Sequence, residues 1–163
     1  MIVSDSGIEF DFPTDWEHFT EGKRWVFHSP EREEVIVSLH SVTGTGGERQ
    51  FATALEKVFQ NGLLAVQRAA ADPQLRVTRP LAEDRESCRL PCWTIVAETM
   101  DRDVLFAQAV IRHSHGTVLL TYESPFLAGA EQSFRSLLGM ICDRSAQRVA
   151  GDYRLEDNAK SHR

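Results

Sequence analysis

"CWTIVAETMDRDVLFAQAVIRHSHGTVLLTYE", residues 92–123, is three apolar-rich runs separated by two short breaks. In the first run Trp93, Ile95 and Ala97 fall on one side and Thr94, Val96 and Glu98 on the other, the two-residue period of a strand. Asp101-Arg-Asp103 interrupts the pattern once, and Ser114-His-Gly116 interrupts it again. Connections this short join antiparallel neighbours, so 92–123 reads as a three-stranded meander.

Towards the N-terminus, Ile8, Phe10 and Phe12 alternate with Glu9 and Asp11 until Pro13 ends a short strand. "KRWVFH" (23–28) and "EEVIVSLHSV" (33–42) predict a hairpin. Thr45-Gly-Gly-Glu48 has the spacing of a capping box. The stripe Phe51, Leu55, Val58, Phe59, Leu63, Val66 then predicts a helix from about 47 to 70. Within it Gly62 is a weak point, costing up to ~1 kcal/mol relative to alanine. Asp72-Pro73 stops that helix, and "LRVTRPL" (75–81) makes an edge strand, because Pro80 cannot donate to a ladder. "AEDRESCRLP" (82–91) reads as a polar connection.

Beyond the meander, Ser124-Pro125 opens a second helix over 126–144, with its stripe on Leu127, Ala130, Phe134, Leu137, Leu138 and Ile141. The order β-β-β-α-β-β-β-β-α defines an α+β fold, a mostly antiparallel sheet with helices packed on it. Residues 1–144 form one domain, and 145–163 are a polar, flexible extension.

The 163 residues include 24 acidic and 18 basic side chains, a net charge of −6 that repels phosphate backbones and makes nucleic acid an unsuitable partner. No stretch approaches the ~20 apolar residues of a membrane helix. The start "MIVSDSGIEFDF" has no secretion-signal pattern, so the expectation is a cytoplasmic protein with no membrane partner. Cys88, Cys92 and Cys142, an odd number, are expected to be reduced, with Cys92 and Cys142 used in packing.

Few motifs carry chemistry. Gly44-Thr-Gly-Gly47 precedes a helix but lacks the GK[ST] of a phosphate loop, and Glu48 would stand where phosphate sits. Neither a GxSxG elbow nor an HExxH helix is present. Carboxylate pairs such as Glu33-Glu34 and Asp101-x-Asp103 sit at strand ends and turns, where solvated acids are ordinary. His113-x-His115 is the candidate metal pair, but a site needs a third ligand, for which His40 is one candidate. The alternative is a solvent-exposed hairpin tip whose positive φ is supplied by Gly116, and this reading is preferred. No catalytic residue, metal or cofactor is therefore assigned.

Alternation assigns Val37, Leu39, Trp93, Ile95, Leu105, Ala109 and Ile111 to a core face of the sheet. The other face, with Ile36, Ser38, His40, Thr94, Val96, Phe106, Gln108 and Val110, mixes apolar and small polar groups. Such a mixture suits either a partner-binding groove or a face covered by one of the helices. Ile36, His40, Thr94, Val96, Phe106, Gln108 and Val110 are the candidate partner-binding residues.

Phe10, Pro13 and Trp16 at the start, Val35 to Leu39 in the hairpin, Leu120 and Tyr122, and the Phe134 to Ile141 stripe together resemble the PsbP and Mog superfamily over about residues 7–143. The resemblance implies an α/β/α sandwich used for binding rather than catalysis. Photosystem PsbP proteins and DcrB-like lipoproteins carry targeting or lipid signals that are not seen here. The partner contacts by which nuclear Mog proteins bind the Ran GTPase find no match. The remaining group includes the Eag-type chaperones of type VI secretion effectors, which hold a hydrophobic effector segment on an apolar sheet surface, commonly as dimers. It implies a non-catalytic chaperone or adaptor, with a homodimer as one option. The alternatives are an immunity protein that neutralises a toxin and, in a different class, a small-ligand or metal-dependent enzyme using His113 and His115.

Overall fold

The computed structural model describes residues 2–4, 7–44, 46–101 and 103–145. The residues of the proposed extension after Ser145 lie outside the described residues, as does Thr45. The strands are β1 (Ile2–Val3), β2 (Ile8–Phe10), β3 (Glu17–Glu21), β4 (Arg24–His28), β5 (Glu34–Ser41), β6 (Leu75–Glu83), β7 (Cys92–Thr99), β8 (Leu105–His113), β9 (Gly116–Ser124) and β10 (Ile141–Asp143). Helix α1 (Glu48–Ala70) precedes β6, and α2 (Ala130–Leu138) precedes β10.

A seven-stranded antiparallel sheet has the order β3-β4-β5-β9-β8-β7-β6, and a three-stranded sheet the order β1-β2-β10. The meander is its centre. Helix α2 and the small sheet pack on one face, where Phe10, Phe134 and Leu138 meet Val37, Ala109, Leu120 and Tyr122, all at most 1% exposed. Helix α1 packs on the other face through Phe59, Val66 and Ala70, against Ile95 and Val110. The fold is thus α+β, a large antiparallel sheet with a helix on each face.

Several boundaries differ from the sequence reading. Glu17–Glu21 is an edge strand that polar neighbours around Phe19 conceal. The second helix covers only Ala130–Leu138, because Gly129 enters it at φ +74° and Ile141 leaves it to pair with Phe10. Ser124 ends β9 instead of capping that helix, and its hydroxyl oxygen accepts the amide of Phe126. The capping box is replaced by Gly47 in the N-cap position without a side-chain cap. Gly62 is also a contact point. A Cβ there would stand 3.1 Å from Val110 and 3.2 Å from Leu119, so its absence lets the helix approach the sheet. Pro80 falls between Arg79 and Ala82, where the β6–β7 register shifts.

Candidate functional site

Helix α1 does not cover its whole face. Its start lies over the β8–β9 hairpin, with Phe51 against His115 and Glu56 paired with Arg112. Its middle sits over Val110 and Leu119, and Phe59 stacks on Trp93 with ring centroids 4.6 Å apart. Its end packs towards Ile95, after which the chain enters β6 at Leu75, opposite Thr99. Among the described residues the helix contacts β6 to β9 most, and its apolar cluster includes no side chain of β3, β4 or β5.

Register lines up one row of side chains on this face. Phe19, Val26, Ile36, Thr121, Gln108 and Ile95 are successive partners across six strands. Phe19 at the edge is 49% exposed, Val26 is 3% exposed, Ile36, Thr121 and Gln108 are half-buried, and Ile95 belongs to the cluster beneath α1. The Gln108 amide nitrogen donates to Thr121 Oγ1 at 3.1 Å, while its carbonyl oxygen is buried with no donor among the described residues. An unmet buried acceptor costs roughly 1–3 kcal/mol.

The neighbouring row is acidic. His28, Glu34, Glu123 and Phe106 are successive partners. His28 Nε2 lies 2.8 Å from Glu34 Oε2. Burial, and then the charge of Glu34, pushes the Glu123 carboxyl above its usual range.

Ile36, His40, Phe106, Gln108 and Val110 share this face, as expected, although His40 is exposed at its far end and Val110 is fully buried under α1. Thr94 and Val96 do not belong with them. Thr94 pairs with Ala109 and Val96 with Ala107, so both point into the core on the α2 side. Trp93 and Ile95, assigned to that core, instead pack under α1. Both faces of β7 are apolar, and alternation within the strand cannot fix its phase relative to β5 and β8. Phe19 was missed for a related reason, since β3 carries too few apolar residues to show a period.

The β8–β9 tip differs from the expected exposed turn. His113 is 5% exposed, and its Nδ1 accepts the amide of His115 at 3.3 Å. Its Nε2 has no partner among the described residues. Burial lowers its pKa to about 4 against the opposing pull of Asp143, so the ring is neutral at pH 7. Gly116 is not in the left-handed region; a Cβ there would collide with the carbonyl oxygen of His40 on β5. Among the described residues, no three of His, Cys, Asp or Glu are placed to hold a metal ion.

Two further clusters are internally satisfied. Cys88 and Cys92 are buried beside one another with free thiols; hydrogen bonding from Cys92 lowers the Cys88 pKa, and the same bond with burial raises that of Cys92. A cleft of about 540 Å³ between β6 and α2 is lined by Arg79, Asp84 and Arg135. There Arg135 pairs with Asp84 and Glu131, and Arg79 pairs with Glu131.

The architecture places the chain among α+β sandwiches built on a large antiparallel sheet. A crystal structure of a protein from Bacteroides thetaiotaomicron VPI-5482 shares the fold with a TM-score of 0.54 at 9% identity, over 87% of this chain. This chain spans 47% of that protein's length. LpqN, described as involved in cell envelope biogenesis of Mycobacterium tuberculosis, aligns with a TM-score of 0.49 at 12% identity, over 84% of this chain and 80% of LpqN. No protein-family model matches the sequence, and no curated protein matches it.

Proposed function

We propose that this chain is a non-catalytic protein-binding module that holds a hydrophobic segment of another protein on the β3–β5 side of the α1 face. The observation that carries the reading is the Phe19-to-Gln108 row, whose exposed Phe19 and half-buried Ile36 lie outside the apolar cluster beneath α1. An extended segment laid there would gain ~25 cal/mol for each Å² of apolar surface it buries. A basic residue on the segment would neutralise the exposed Glu123.

The finer reading is a cytoplasmic chaperone or adaptor for a secreted, type VI, effector. It rests on the resemblance to PsbP and Mog proteins and to Eag-type chaperones, together with this open sheet face. Substitution tests it. Ile36→Asp and Phe106→Asp should each abolish partner binding while leaving the far-ultraviolet spectrum and melting cooperativity intact. Leu64→Asp, on the 48% exposed side of α1, should bind as wild type. Retained binding in both sheet variants removes the reading.

A further inference from the structure

We propose that the aromatic pocket between β2, β3 and β4, on the opposite face of the sheet, binds a small alkylammonium group. The pocket has a volume of about 150 Å³; five of its eight lining residues are the rings of Phe10, Phe12, Trp16, His18 and Phe27, and the others are Ile2, Pro13 and Thr14. Ligand sites for drug-sized molecules are roughly 300–1,000 Å³, so this one has room for a single small group. Its walls are built in advance of any ligand: Phe10, Phe12 and Phe27 are at most 5% exposed and belong to the main core.

The wall chemistry selects a cation. Ring centroids are 4.8 Å apart for Phe12 and Phe27, 6.2 Å for Phe12 and Trp16, and 5.9 Å for His18 and Phe27. A group lodged among rings so spaced lies within about 6 Å of several at once, the range over which an aromatic ring attracts a cation. Among the described residues, no lysine or arginine lines the pocket to occupy that position. Asp11 and Asp15 are exposed, each is next in the chain to a wall residue, and neither makes an ion pair among the described residues. Each charge thus sits one residue along the chain from a wall, about 3.8 Å between Cα atoms and inside the ~8 Å screening length. The chain's net charge of −6 adds to the same field.

An NMR titration with choline tests this, set beside its neutral isostere 3,3-dimethylbutan-1-ol. The readout is the indole N–H resonance of Trp16, identified by its loss in Trp16→Phe. Choline should shift that resonance saturably and bind about tenfold more tightly than the alcohol. The double variant Asp11→Asn/Asp15→Asn, altered only at exposed positions, should weaken choline about threefold and leave the alcohol unchanged. Nα-acetyl-lysine amide, run in parallel, separates the sources: tighter binding than choline assigns the pocket to a lysine side chain of a protein, and the reverse to a free quaternary ammonium. Equal binding of choline and the alcohol, or no saturable shift with either amine, overturns the proposal. The sheet-face variants Ile36→Asp and Phe106→Asp lie outside this pocket, so the two readings fail separately.

Discussion

Glu34 and Glu123 stand directly opposite one another across the β5–β9 ladder. Like charges so placed repel, and Glu34 is engaged by His28 while Glu123 flanks Phe106 on the uncovered face. The acid thus marks the border of the surface on which the proposed partner lies.

Removing that charge should help the isolated protein. A carboxyl whose folded pKa is raised favours its protonated form, so it opposes folding above its unfolded pKa and is neutral in effect well below it. Glu123 is exposed enough for solvent to mute the effect. Glu123→Gln should gain about 0.5 kcal/mol at pH 7 and nothing at pH 3 in urea unfolding. The same substitution should weaken binding of a basic partner.

Gly116 is set by backbone packing. With the carbonyl of His40 occupying the space of any Cβ, Gly116→Ala must separate β5 from β9 at the Ser41–Gly116 pair. The expected loss is about 2–3 kcal/mol by thermal unfolding. Gly47→Ala, where a Cβ meets nothing within 4 Å, should change stability by no more than about 1 kcal/mol.

His113 makes stability depend on mild acid. Its folded pKa of about 4 lies below the unfolded value near 6.5, so the unfolded chain takes up a proton first as pH falls. The stability present above pH 6.5 is lost between that value and pH 4. At pH 5 the loss is about 2 kcal/mol relative to pH 7. Urea unfolding of His113→Leu at the two pH values should lack that component of the difference.

Asp84 ties the 82–91 connection to α2. Its Oδ1 accepts the amides of Glu86 and Ser87 at 3.0 and 2.9 Å, and its Oδ2 meets Arg135. Burial works to raise its pKa, but those hydrogen bonds and the charge of Arg135 hold the carboxyl below the usual range. Asp84→Ala should cost about 3 kcal/mol in denaturant unfolding, because it strips a half-buried arginine of one partner and frees two turn amides.

The meander and α1 were legible because both carry a strong hydrophobic period, and the α+β class follows from the short links between strands. The phase of β7 was not legible. Trp93, Ile95 and Ala97 are as apolar a set as Cys92, Thr94 and Val96, and only the cross-strand partners Val110 and Ala109 decide which looks at α1. Ile141 fits a helical stripe as well as it fits the strand that pairs with Phe10, and only the tertiary contact decides between them. Of the candidate binding residues, Ile36, Phe106 and Gln108 were found by alternation. Phe19 was not, because a lone aromatic in "EHFTE" has no periodic neighbours.

The central claim, that the open β3–β5 side of the α1 face holds another protein, is met most directly by native mass spectrometry of the untagged chain purified gently from its own cells, beside its Ile36→Asp variant. The account predicts a stoichiometric second polypeptide on the wild-type chain that is absent from the variant. A wild-type mass that carries a metal or small molecule and no polypeptide, or a polypeptide that survives Ile36→Asp, would contradict it.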